Sequence, residues 1–200
     1  MNISILYRVF YAVIVITSFV LYPVLNKKAS ITHIIKLGID DWIPFIPIFS
    51  VPYIVYIPFL VITLVYFIFF TRLFKAISIS FVFCQFIAAL FYIFYQTTVP
   101  RPEILNTDLF SKLVLYIYSN DKPFNCFPSL HVALSSLCFL YWIQIFPNLK
   151  WQIGAFVLSI ILSTLFIKQH YTLDVLSGIV LAIVSFYVGK FFLNFTRTSF

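Results

Sequence analysis

From Val51 to Thr71 the chain carries no charged side chain, and the same is true of Val9–Leu25, Ala76–Thr97 and Trp151–Ile167. A helix needs about 20 mostly apolar residues to cross the hydrocarbon core of a bilayer. Inside that core every backbone N–H and C=O must find its partner within the protein, which leaves helices as the natural spanning element for runs of this length. Two more runs, Ser129–Phe146 and Leu173–Phe192, are almost as apolar and are interrupted by His131, Asp174 and Lys190. The expected fold is all-α: an integral membrane six-helix bundle forming a single domain over residues 1–200, with no soluble appendage. Only 10% of residues are charged and 62% are hydrophobic, whereas a soluble domain carries about 25% charged residues.

The formal net charge is +7. In a soluble protein such a balance would suggest nucleic acid, but here the cations flank spans and meet anionic head groups, so no nucleic-acid partner is expected. Cys84 and Cys138 fall inside spans and Cys126 stands alone in a loop, which argues against a disulfide framework. The amino terminus resembles a signal peptide in having Arg8 before an apolar run. It lacks a small-residue cleavage site, and it is read as the first span.

The loops divide the polar residues unevenly. Gly38–Pro47 contains Asp40, Asp41, Trp42 and two prolines, and is expected to lie on the bilayer surface as a lid or anchor without chemistry. The longest polar stretch, Thr98–Pro128, carries Arg101, Glu103, Asp108, Lys112, Asp121 and Lys122. Within it Asp108 is placed to cap a short helix over 109–118, with Leu109, Leu113 and Tyr116 along one side. With six spans, the loops after the first, third and fifth share one face, and all six acidic residues lie there. Lys and Arg are nearly balanced, seven on that face and six on the other. The second set sits in short loops and tails, where the positive-inside rule is most reliable, so the acidic face is expected on the non-cytoplasmic side and both termini in the cytoplasm.

Three clusters on that face carry the chemistry: Arg101-Pro102, Pro128-Ser129-Leu130-His131, and Lys168 through Asp174. His170 and Asp174 are four apart and share a helix face. A carboxylate there fixes the imidazole tautomer and stabilises the charge that forms when the ring attacks an electrophile. Two histidines with fixed cations suit phosphoryl transfer, in which one ring attacks phosphorus, the other protonates the leaving oxygen, and the cations hold the phosphate oxygens. Pro128-Ser129 adds an exposed helix amino terminus, where free N–H groups bind anions. His33 is read as an ordinary loop residue, and the many Phe and Tyr residues as packing and lipid-facing groups.

In these motifs the chain resembles the type-2 phosphatidic acid phosphatase (lipid phosphate phosphatase) superfamily. That pattern has a Lys seven residues before Arg-Pro, then Pro-Ser-Gly-His, then Ser-Arg followed after five residues by His and after three more by Asp. Arg101-Pro102, Pro128-Ser129-Leu130-His131 and His170 with Asp174 match it in order and spacing. The resemblance implies a six-helix core and a reaction that needs no metal or cofactor. It implies His170 as the nucleophile forming a phosphohistidine, Asp174 as its orienting partner, and His131 as general acid and then base. Arg101, Ser129 and Lys168 would hold the phosphate of a lipid substrate.

The departures are specific. Phe94 stands at the family's Lys position, Thr164 at its Arg position and Leu130 at its Gly. Lys168, two residues before His170, is placed to substitute for a missing cation. Phe127-Pro128-Ser129-Leu130-His131 and His170-Tyr171-Thr172-Leu173-Asp174 look more like a side branch that includes inositol phosphorylceramide synthases, which pass a head-group phosphate to a lipid hydroxyl. A weaker cation set suits a singly charged phosphodiester. Three functions follow, in order of preference: a lipid phosphatase, acting on a phosphomonoester or diphosphate; a lipid phosphotransferase; and a non-catalytic transport or lipid-binding protein. Transport is disfavoured because, His131 apart, the span interiors lack ionisable residues that could line a path.

Overall fold

The computed structural model describes residues 3–105 and 108–198. Among the described residues eight α-helices follow one another: α1 (Ile3–Ser18), α2 (Leu21–Leu25), α3 (Ser50–Phe70), α4 (Phe74–Phe94), α5 (Leu109–Asn120), α6 (Leu130–Ile145), α7 (Lys150–Phe166) and α8 (Thr172–Thr198). Among the described residues five stretches are long and apolar enough to cross a membrane: 5–25, 47–70, 74–94, 147–166 and 172–192. They agree with five of the expected spans, the first of which is broken at Phe19–Val20 into α1 and α2.

The expected fourth span, α6, is different in kind. Its 16 residues rise about 24 Å at 1.5 Å each, less than the roughly 30 Å of a hydrocarbon core. It packs against α3, α4, α7 and α8, and Leu130, Val132, Ala133, Leu134, Ser135, Leu137, Cys138 and Tyr141 are all buried. A helix apolar on every side is a core helix. Surrounded by protein, α6 need not match the bilayer's thickness.

Association of membrane helices depends on close packing, small residues and internal hydrogen bonds, since lipid is as apolar as the side chains. Ser80 of α4 donates to the Ser185 carbonyl of α8 at 2.7 Å and lies 2.8 Å from the Tyr141 hydroxyl of α6. Trp142 of α6 donates to Thr63 of α3 at 2.8 Å. Arg8 of α1 donates to the Ile68 and Thr71 carbonyls, satisfying acceptors that the end of α3 leaves free.

The loop after α2 threads across the acidic face. His33 pairs with Gln96 and Thr98 through backbone hydrogen bonds of 2.9 Å, and its ring stacks on Tyr95, consistent with a loop residue. Trp42 is 86% exposed, as an interfacial anchor should be. Asp108 caps α5 as expected, accepting from Phe110 N at 2.8 Å and Ser111 N at 3.1 Å. The stripe expected on α5 is the outward one: Leu109 and Tyr116 are exposed and Leu113 partly so, while Ser111, Val114 and Ile117 are buried. At a membrane surface both faces of a helix can be apolar, so hydrophobicity alone does not say which one packs.

α4 and α8 are tightly packed at Gly189, where an added Cβ would lie 2.1 Å from Ser80 Oγ and 2.3 Å from the Ala76 carbonyl. Gly189→Ala is expected to destabilise the detergent-solubilised protein by about 1–3 kcal/mol through overpacking. Gly154→Ala, whose Cβ would meet Phe139 at an ordinary 3.5 Å, is expected to be neutral. Thermal unfolding of the two variants side by side checks this.

Candidate active site

The turn between α7 and α8 is tight. The Thr164 carbonyl accepts from both Gln169 N at 2.9 Å and His170 N at 3.1 Å. Lys168 adopts a left-handed backbone with φ of 55°, which reverses the chain and separates its side chain from its neighbours. Gln169 and His170 turn inward and are buried. Lys168 stays half-exposed and donates to the Ile43 carbonyl in the loop above; burial lowers its pKa, partly offset by Asp40.

Asp174, fully buried in the first turn of α8, has Oδ2 2.8 Å from Tyr171 N and 3.4 Å from His170 Nδ1. A negative charge suits this end of a helix. The opening N–H of α8 is held from far away: Asp40 Oδ1 accepts from Thr172 N at 2.8 Å and Thr172 Oγ1 at 2.6 Å, while Asp40 Oδ2 accepts from Leu37 N at 2.8 Å. The segment read as a lid therefore also caps the helix that carries Asp174.

α6 docks on this turn. Ser129 N donates to the Asp174 carbonyl at 3.1 Å, and Gly178 leaves room for the Ser129 carbonyl, which an added Cβ would approach to 2.7 Å. Ser129 Oγ accepts from Val132 N at 3.4 Å as the amino-terminal cap. The preceding Phe127-Pro128 peptide is cis, and the Pro128 carbonyl accepts from Tyr92 at 2.8 Å. The docking brings the His131 and His170 rings to 6.0 Å. His131 is itself held between Tyr53 at 4.5 Å, stacked, and Tyr56 at 4.7 Å.

Arg101 completes the cluster. Its guanidinium lies 4.2 Å above the Tyr118 ring, donates to the Tyr118 carbonyl at 2.8 Å, to the Asp121 carbonyl, and to Gln169 Oε1 at 2.5 Å. Burial lowers its pKa, against the opposing pull of Asp121. Arg101 Nε and Gln169 Nε2, two buried donors in this patch, have no hydrogen-bond partner, and neither do His170 Nδ1 and Asp174 Oδ1, so the 3.4 Å approach of His170 Nδ1 to Asp174 Oδ2 is an ion-pair contact. The two positions read as departures carry no cation: Phe94 is 81% exposed, and Thr164 is buried with its hydroxyl on the Ile161 carbonyl at 2.7 Å.

Thus Arg101, Ser129, His131, His170 and Asp174 converge, with Lys168 in the same turn but bonded outward. Sequence reasoning gave no role to Gln169, Tyr53, Tyr56 or Asp121. Gln169 lies within the stretch Lys168–Asp174 and has only its position beside His170 to single it out. The Asp121 carboxylate accepts from Tyr22 at 2.7 Å, Asn26 at 3.0 Å and Tyr53 at 2.6 Å. Beside it a cavity of about 770 Å³ is lined by Tyr22, Asn26, Tyr53, Tyr56, Asp121 and His131 together with many apolar side chains.

Residues 30–188 match the PAP2 superfamily. The chain belongs to this family. It is 35% identical over 75 residues to the inositol phosphorylceramide synthase catalytic subunit of Saccharomyces cerevisiae, covering 37% of this chain and 19% of that protein. It is 33% identical over 63 residues to the same subunit of Schizosaccharomyces pombe, covering 32% of this chain and 15% of the relative. The matched stretches thus span under a fifth of either relative's length. They agree with the side branch that the Phe-Pro-Ser-Leu-His motif resembles. No solved structure matches the chain.

Asp40→Ala would leave the Thr172 and Leu37 donors without their partner, at about 1–3 kcal/mol for a buried unsatisfied group. The expected outcome is a lower melting temperature, with faster amide exchange confined to Leu37 and the start of α8. Exchange measured by mass spectrometry on wild type and variant checks it.

Proposed function

We propose that this PAP2-superfamily chain is a lipid phosphatase that cleaves a lipid phosphomonoester or diphosphate through a phosphohistidine on His170, without a metal. The observation that carries the reading is the pair of imidazoles at 6.0 Å, brought together from separate helices, with Asp174 behind one of them. In this reading His170 attacks phosphorus and the bond to the lipid oxygen breaks. Asp174 orients the ring and balances its charge. His131 gives its proton to the departing lipid oxygen, then takes one from the water that attacks the phosphohistidine, releasing phosphate and restoring both rings.

Phosphate oxygens are held by the guanidinium of Arg101, by the unpartnered donors of Arg101 and Gln169, and by the first N–H groups of α6, which no helical carbonyl satisfies. Ser129 sets the geometry of that helix start. Lys168 contributes positive potential from the adjoining turn.

A second reading, transfer of a head-group phosphate to a lipid hydroxyl, draws on the sparse charge. With Phe94 and Thr164 where the family pattern has cations, Arg101 is matched better to a phosphodiester with one negative charge than to a monoester with nearly two. The two yeast relatives, named as inositol phosphorylceramide synthase subunits, point the same way.

Purified protein in detergent with EDTA, assayed against a panel of lipid monoesters and diphosphates, separates the readings. Free phosphate is expected from wild type, a loss of at least about 10³-fold in His170→Ala, and a loss of about 10²–10⁴-fold in His131→Ala. Phosphate release that survives His170→Ala sinks the phosphohistidine. Transfer from a phosphodiester donor to a lipid alcohol, with no phosphate released from any monoester or diphosphate, selects the second reading.

We also place the site on the non-cytoplasmic face. The three native cysteines are buried, so a single introduced thiol reports topology. In intact cells Trp42→Cys is expected to react with a membrane-impermeant maleimide, whereas Lys150→Cys, in the exposed turn before α7, is expected to react only after permeabilisation. The reverse pattern inverts the orientation.

A further inference from the structure

The cavity adjoins only one half of the proposed machinery. His131 lines it, whereas His170 and Arg101 are not among its lining residues. In an in-line displacement the attacking and departing groups stand on opposite sides of phosphorus. A cavity on the His131 side therefore faces the oxygen that His131 serves, and its mostly apolar wall, with Phe19, Ile54, Ile57, Leu60 and Leu134, suits the lipid attached to that oxygen.

Among the polar residues of the wall is a patch rich in acceptors. A carboxylate offers about four lone-pair directions, and Tyr22, Asn26 and Tyr53 occupy three of them on Asp121. Beside it the Asn26 carbonyl oxygen, Oδ1, has no hydrogen-bond partner, and Asn26 is 8% exposed. The amide cannot be turned round to relieve this, because its nitrogen is bound to Asp121. Two acceptors without enough donors call for a donor on the ligand. Lys27 and Lys122 also line the cavity and disfavour an ammonium there, while Asp121 disfavours a second anion. A neutral hydroxyl satisfies both conditions.

We propose that the cavity binds the lipid-alcohol part of the substrate, and that Asp121 and Asn26 recognise a second, free hydroxyl on that alcohol. The inference rests on the reading that His131 serves the lipid oxygen, and it names the substrate class: lipids with a hydroxyl close to the esterified one, in preference to lipids with a single oxygen function. The Tyr53 side chain spans from Asp121 to the His131 ring, which sets the separation of the two hydroxyls.

The test uses two alcohols that differ by one oxygen, 1-oleoylglycerol and the mono-oleoyl ester of propane-1,3-diol, competing against radiolabelled 1-oleoylglycerol on the full chain in detergent. Their phosphate esters are assayed in parallel for phosphate release. Wild type is expected to prefer the glycerol lipid by roughly 10–100-fold, the range of a hydrogen bond to a charged acceptor. The preference is expected to fall toward unity in Asp121→Asn and in Asn26→Ala, the second variant serving if loss of the Asp121 charge unfolds the protein. Equal binding of the two alcohols by wild type, failure of both to bind, or a preference that persists in a folded variant overturns the proposal. Loss of phosphate release with the binding preference intact instead overturns the phosphatase reading and leaves the hydroxyl subsite standing.

Discussion

Everything at the proposed site depends on how the first turn of α6 sits against the first turn of α8. The Ser129 N–H reaches the Asp174 carbonyl at 3.1 Å, and Gly178 is the residue that lets the Ser129 carbonyl come so near. These residues are 45 positions apart in a chain whose spans could pair in several registers. The contact fixes one register, and both histidines inherit their separation from it. Mispairing by one helical turn, about 5.4 Å, would be comparable to the whole distance between the rings.

Burial makes that register worth holding. Asp174 and Gln169 are almost wholly removed from solvent, and isolated polar groups at such depth are costly unless they are satisfied. Their partners come from the turn itself and from a loop: Tyr171 N donates to Asp174 and Arg101 takes Gln169, while Asp40 restrains the neighbouring Thr172. A residue with φ of 55° in the middle of the turn, Lys168, is itself mildly unfavourable. Its side chain then anchors the overlying loop at Ile43. The acidic-face loops are therefore structural members of the site, and Asp40 links a surface segment to the orientation of His170.

Much of this was legible in the sequence. Long uncharged runs announced the spans because the bilayer tolerates little else, and the end of α5 was readable because Asp108 is a strong capping residue followed by an apolar helix. Parity placed Arg101, His131 and His170 on one face without any contact being known. What escaped were features made by distant partners. Asp121 is one polar residue in a long polar loop, and its role appears only when Tyr53, Asn26 and Tyr22 arrive from 68, 95 and 99 residues away. The break between α1 and α2 and the outward-facing side of α5 escaped for another reason: at a membrane surface, lipid and protein interior select the same side chains.

The two halves of the site differ in how they treat charge. On the His170 side a single guanidinium is fixed by two carbonyls, a glutamine and an aromatic face, so it loses little freedom when an anion arrives. Low surrounding polarity strengthens each interaction it makes. Such a centre can hold a phosphate with fewer cations than an exposed site would need, and it does so most favourably when the anion carries one charge. On the His131 side the walls are apolar, the single carboxylate is occupied by hydroxyls and an amide, and a neutral lipid is the fitting guest. In the proposed reading, an anion-binding half and a lipid-binding half, with one imidazole in each, would leave the reacting phosphorus at their boundary. The choice between water and a lipid hydroxyl as acceptor then turns on what fills the cavity when the first alcohol departs. On that reading the walls that would admit a leaving lipid would also admit an incoming one, which makes hydrolysis and transfer two outcomes of one geometry, separated by occupancy rather than by a different set of catalytic groups.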